Sequence, residues 1–243
     1  MKITIVHLYY DLLNLYGESG NVKALKKVFE DQGIETEIRF LTITDQLTFD
    51  DVNIVFVGAG TEQNQKIALK HLNKYKKDIE KAYKNGTFFL ATGNALELFG
   101  SSIIDQSGKK WNALKLFKFH AKEEPFRIVD EALFKTNLIP EYILGFQNQN
   151  SVVKDLSKEH LFEVIKGTGS YPKSKSEGIH VGNFYGTYLI GPLLVRNPAL
   201  LKYIAKEILS FYYPNYILKP FSMNLEENAY NTFMNNYYKE YTK

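Results

Sequence analysis

Apolar residues follow two alternating periodicities through the first hundred positions. Residues 2–8 carry Ile3, Ile5, Val6 and Leu8 almost without interruption, which predicts a buried strand. From Asn21 to Gln32 the spacing lengthens, so that Val22, Leu25, Val28 and Phe29 share one helical face, and Gly33 ends the helix. Glu35 to Phe40 alternates as a strand. Asn53 to Val57 is a short apolar run that stops at Gly58-Ala59-Gly60. A long helix is predicted next, with Ala68, Leu72, Tyr75, Ile79 and Ala82 in step, and Asn85-Gly86 terminates it. Thr87 to Ala91 reads as another strand, and a turn at Thr92-Gly93-Asn94 leads into a short helix.

Strand and helix alternating in this way predict an α/β fold, a parallel sheet with helices on both faces. Ligands bind such sheets beyond the carboxyl ends of the strands, where the loops 58–65 and 92–95 should both open. From Trp111 to Ile190 the pattern changes to strand-like runs, Ala113–Phe119, Tyr142–Phe146 and Leu161–Ile165, separated by polar loops. The stretch Gly167 to Gly178 holds Gly, Ser, Lys and Pro and is expected to be exposed and mobile. Asn197-Pro198 predicts a helix start, with Asn as N-cap and Pro at the first helical position. Leu201, Ile204 and Ile208 form that helix's buried stripe, and Pro214 ends it. We expect residues 1–213 to form one domain and 214–243 a helical tail packed on it.

Composition narrows the function. The 243 residues are 44% hydrophobic, enough for a full core. No apolar run reaches the roughly 18 residues of a membrane span, and the chain opens as a strand rather than a signal peptide, so a cytoplasmic location is expected. Net charge is +3 from 30 basic and 27 acidic residues, too balanced for a nucleic-acid partner. The lysines between 70 and 84 recur at helical spacing among acidic residues and read as a solvated face. The chain contains no cysteine, which excludes disulfides, thiolate metal sites and a thiol nucleophile. No His or carboxylate spacing suggests a metal site, and no cofactor is implied.

Five segments, in order, resemble the GatD family of glutaminase subunits, within the CobB/CobQ-like class I glutamine amidotransferases. They are Leu8-Tyr9-Tyr10-Asp11-Leu12-Leu13-Asn14-Leu15-Tyr16-Gly17-Glu18-Ser19-Gly20-Asn21, Ile54 to Gln65 with its Gly58-Ala59-Gly60, Phe126-Arg127-Ile128, Gly145-Phe146-Gln147-Asn148, and Tyr185-Gly186-Thr187-Tyr188-Leu189-Ile190-Gly191-Pro192-Leu193-Leu194. The resemblance spans nearly the whole chain and implies a three-layer domain with a central, mainly parallel sheet. Glutamine hydrolysis in such a family needs a nucleophile on a sharp strand-to-helix turn, a His beside it, and backbone N–H groups facing the oxyanion. The family's Cys-Gly-Gly elbow corresponds here to Thr92-Gly93-Asn94, with Leu98-Phe99-Gly100 fixing the register. Gly93 therefore falls on the nucleophile and Ile190 on the catalytic His; neither can do chemistry.

A hydroxyl at Thr92 or Ser101 would need a base. His180 could serve, or could be a surface residue beside the loop, whereas His7, His71 and His120 read as structural or exposed. Gly58, Ala59 and Gly60, with Asn94, are either a retained oxyanion loop or a plain turn. Arg127 either holds a ligand carboxylate or makes a local ion pair. The resemblance implies a MurT-like, Mur-ligase-family partner and the amidation of lipid II, with this chain as its degenerate glutaminase. The alternatives are a module that binds glutamine or another amino acid without cleaving it, and a cobyric acid synthase-like amidotransferase subunit.

Overall fold

The structure is a computed structural model that describes residues 1–154, 156 and 160–242. Its strands in chain order are β1 (Lys2–Leu8), β2 (Glu35–Leu41), β3 (Ile54–Val57), β4 (Phe88–Thr92), β5 (Ser102–Ile104) and β6 (Lys110–Asn112). They continue with β7 (His120–Lys135), β8 (Ile143–Val153), β9 (Phe162–Lys166), β10 (Ser176–Glu177), β11 (Ile179–Val181) and β12 (Phe184–Thr187). The α-helices are α1 (Ser19–Asp31), α2 (Glu62–Leu72), α3 (Lys76–Lys84), α4 (Leu193–Arg196), α5 (Pro198–Tyr212) and α6 (Asn224–Tyr237).

Six strands form the central sheet in the order β11-β12-β4-β3-β1-β2, parallel throughout except where β11 runs against β12. The two-residue alternation of a strand divides its side chains between two cores. Val6, Leu8, Val55, Val57, Phe89 and Ala91 pack with Ala68, Leu69 and Leu72 of α2 and Ile79 and Ala82 of α3. Ile3, Ile5, Ile54, Phe56, Phe88 and Leu90 pack on the other side with Val22, Leu25 and Phe29 of α1 and Leu201, Ile204 and Ile208 of α5. Burial on both faces explains why the strands read as apolar runs rather than as an alternating pattern.

A second six-stranded sheet, mostly antiparallel, runs β10-β9-β7-β5-β6, with β8 paired to β7. Its main unit is the long β7–β8 hairpin, whose register slips between Glu123 and Ile128. That irregularity lifts Phe126 and Arg127 out of the ladder at the carboxyl edge of the central sheet. Helix α6 lies against α4 and α5, and Tyr230 donates to the Tyr142 carbonyl at 2.8 Å. The last residue of that tail, Lys243, lies outside the described residues.

Four local expectations need correction. Residues 113–119 form no strand. Instead the N–H groups of Ala113, Leu114, Lys115 and Phe117 donate to carbonyls of Leu98, Phe99, Gly100 and Ser101, so the segment wraps the helix that follows β4. The expected long helix is two, joined by a 3-10 turn at Asn73–Tyr75, where Asn73 turns its amide to the Asn112 carbonyl at 3.0 Å. Asn197 holds the N-cap position of α5, with Pro198 at its start as expected, but its side chain makes no capping bond and instead binds the N–H and the carbonyl of Leu144, and the Leu193 carbonyl. Within 167–178, Ser170, Ser174 and Glu177 are buried, and Ser176–Glu177 pairs with β9. The burial follows from Glu177, whose carboxylate accepts from the Thr187 hydroxyl and the Tyr188 N–H.

Candidate functional site

Four central strands end side by side, and their connections form one crevice beneath the second sheet. After β4 the chain turns sharply into a 3-10 helix, Gly93–Phe99. Gly93 makes the turn with φ +60°, a left-handed conformation that a side chain disfavours. The space above it is already filled. A Cβ on residue 93 would lie 2.5 Å from the Ala59 Cβ and 2.9 Å from the Ile190 Cγ2. The two positions read from sequence as the lost dyad, Gly93 and Ile190, are therefore neighbours.

Glu18 locks this arrangement. It sits at the start of α1, fully buried, and makes no capping bond. One carboxylate oxygen accepts from the Thr92 hydroxyl at 2.5 Å and from Asn21 Nδ2 at 3.3 Å, and the other accepts from the Gly191 N–H at 3.0 Å. It so ties the first connection, the elbow and the segment after Ile190 together. Burial raises its carboxyl above the usual range, against the pull of these donors. Ile190 is held from the other side by its N–H, which donates to the Phe146 carbonyl at 2.9 Å.

The glycine-rich loop is tight rather than open. A Cβ at Gly58 would strike Glu18 and the Leu13 carbonyl, and one at Gly60 would strike Leu13 and the Leu12 carbonyl. The Gly60 N–H donates to Asn94 Oδ1 at 3.1 Å, and Asn94 Nδ2 returns a bond to the Gly60 carbonyl at 2.9 Å. That amide group is thus committed within the protein. Arg127 reaches across from the register slip and donates to Glu62 at 2.8 Å and Asn148 Oδ1 at 3.0 Å. Together these residues enclose a cavity of about 110 Å³, lined by Tyr16, Asn94, Glu97, Arg127 and Gln149 among others. The larger cavity of about 630 Å³ lies at the opposite ends of the strands, where Lys2, Asp51 and Asn53 already have partners.

The CobB/CobQ-like glutamine amidotransferase domain matches residues 4–198, most of the chain and every segment of this crevice. The chain belongs to that family. Among curated proteins it is similar to subunit GatD of lipid II isoglutaminyl synthase (glutamine-hydrolyzing) from Staphylococcus aureus strain N315, at 29% identity over 85% of this chain and 84% of that one. The corresponding subunit from Streptococcus pneumoniae strain R6 is 28% identical over 82% of this chain and 77% of that one. A crystal structure of a glutamine amidotransferase shares the fold, with a TM-score of 0.55 at 15% identity over 84% of this chain and 98% of that one.

Among the described residues of this amidotransferase-family chain, the hydroxyls beside the elbow and the histidines are engaged elsewhere or lie away from it. Thr92 is fully buried with its hydroxyl given to Glu18, and the Ser101 hydroxyl donates to the Phe117 carbonyl. His180 lies beside Tyr185, which pairs with Leu90, below the elbow. Its ring stacks on Tyr185 and its Nε2 is 3.1 Å from the Gly182 carbonyl. His71 bonds to the Tyr9 hydroxyl and His120 to the Ser102 hydroxyl. His7 is buried against Phe56, with no side-chain partner among the described residues. No group of three or more His, Cys, Asp or Glu among the described residues could hold a metal.

Sequence reasoning missed two residues of the crevice. One is Glu18, which lies in the first matching segment but was given no role of its own there. The other is Glu97, wholly buried, which accepts from Gln65 Nε2 at 2.8 Å and from the Tyr188 hydroxyl at 3.0 Å. Burial pushes the Glu97 carboxyl up to about 7. Its position in Gly93–Phe99 gave no hint of burial, because a 3-10 turn breaks the helical spacing.

Proposed function

We propose that this chain is a glutaminase-like subunit that has lost glutamine hydrolysis and serves a MurT-like, ATP-dependent ligase in the amidation of lipid II. One observation carries the reading: the turn that should present a nucleophile holds Gly93, in a chain without cysteine, and the residue facing it is Ile190. A covalent thioester cannot form without a thiol, and the hydroxyl at the turn, that of Thr92, is fully buried and held by the equally buried Glu18 carboxylate rather than turned to the crevice. The similarity to GatD subunits supports the choice of partner and acceptor. In this role the chain contributes shape to a cytoplasmic heterodimer, and the ligase draws on free ammonia.

The crevice argues against a free-standing amino-acid sensor. At about 110 Å³ it falls well short of the ~300–1,000 Å³ typical of small-molecule sites, and the guanidinium that would hold a carboxylate is engaged by Glu62 and Asn148. Two assays test the proposal. The purified chain is expected to release no ammonia from glutamine above a buffer blank. Expressed with the Mur-ligase-like protein of the same genome, it is expected to co-elute on size exclusion and to raise ammonia-dependent amidation. Sustained glutaminase turnover by the pure chain would overturn the loss of hydrolysis. Separate elution, with equal amidation when the chain is left out, would overturn the partnership.

A further inference from the structure

We infer that Ala59 is a steric seal over the elbow, so that position 93 is closed to any side chain and not merely lacking one. Three observations support this. The first is the approach itself: a Cβ on residue 93 would meet the Ala59 Cβ at 2.5 Å and the Ala59 Cα at 3.4 Å. The second is the difference between the two obstacles. Ile190 Cγ2, at 2.9 Å, ends a side chain that can change rotamer, whereas a Cβ moves only with its backbone. The third is that the Ala59 backbone has nowhere to go. Gly58 and Gly60 are packed against the 12–18 segment, the Asn94 amide binds both polar groups of Gly60, and the Ala59 carbonyl accepts from the Leu15 N–H at 2.9 Å.

Loss of the nucleophile and closure of its site are then separate changes. Returning a thiol to position 93 and an imidazole to position 190 would not rebuild a working elbow while Ala59 remains. The functional meaning of the seal rests on the proposal that position 93 once held a nucleophile, but the packing does not.

The test is a stability cycle of the parent chain, Gly93→Ala, Ala59→Gly and Ala59→Gly/Gly93→Ala. The left-handed backbone strain at residue 93 is common to both backgrounds and cancels. The Gly93→Ala change is expected to lower Tm by at least about 3 °C more in the parent than in the Ala59→Gly background. A coupling smaller than that overturns the seal. Gly93→Cys gives a second readout, since the parent has no thiol and every label counted is on residue 93. Maleimide should label Ala59→Gly/Gly93→Cys/Ile190→Ala at least about tenfold faster than Gly93→Cys/Ile190→Ala, and a smaller ratio overturns the seal. If Gly93→Cys/Ile190→Ala does not fold, the alanine cycle decides. Neither readout involves glutamine or a ligase. Glutaminase turnover by the parent would overturn the proposed function without touching the coupling, and a null coupling would leave that function standing.

Discussion

Single buried side chains tie the stability of this protein to pH. Glu97 titrates at about 7 in the fold against 4.5 when exposed. The folded state therefore holds this proton more tightly than the unfolded chain, so the stability it contributes is full below about 4.5 and is lost as pH rises through 7. Glu177, also lifted to about 7 by burial, acts in the same sense. His7 acts in the opposite one. Burial lowers it from 6.5 to about 4, so its contribution is present above 6.5 and is lost as pH falls through 4. Urea melts should show Glu97→Gln recovering about 2 kcal/mol of the stability lost between pH 5.5 and 8.5. Unchanged slopes would mean Glu97 is ionised in the fold. His7→Phe should flatten the acid limb by about 2 kcal/mol between pH 7.5 and 4.5, and would fail to do so if the imidazole were protonated inside the core. At this scale the candidate site was only half legible. Gly93, Ile190 and Arg127 stood out because a missing or charged side chain at a motif position is visible in a string of letters. Glu18 and Glu97 did not, because what makes them important is burial, and burial of a carboxylate has no sequence pattern.

At the scale of elements, alternation of apolar runs foretold the central sheet, because strands buried on both faces leave an unbroken signal. The second sheet was legible only as scattered runs. The register of its longest strand slips, so the two-residue pattern is interrupted just where Arg127 is delivered to the crevice. Asn197 illustrates how a cap signal can serve a different end. It joins β8 to α4 through the Leu144 N–H at 2.8 Å and through the Leu144 and Leu193 carbonyls, both at 2.9 Å. Asn197→Ala would leave these groups unpaired in the interior, and chemical denaturation should register a loss of about 2–4 kcal/mol. An effect below about 0.5 kcal/mol would mean that these bonds add nothing to stability.

For the whole molecule, the family framework around the crevice is intact, whereas the proposed function leaves it without glutamine hydrolysis. No helix among the described residues is long and apolar enough to cross a membrane, so on the proposed function the route to lipid II runs through the partner. The ligase should therefore lose solubility or amidation when this chain is removed, whereas substitutions at Gly93 that leave the fold intact should change neither, as a pull-down with the Ala59→Gly/Gly93→Ala chain would show. The clash above the elbow also orders events in time. In this backbone a methyl at 59 and a side chain at 93 conflict, so on the proposed function a thiol at 93 would have been lost before, or together with, the arrival of Ala59. On that reading the step would act as a ratchet. A descendant that regained the thiol by a single mutation would inherit the clash without the activity, and selection would have nothing to favour.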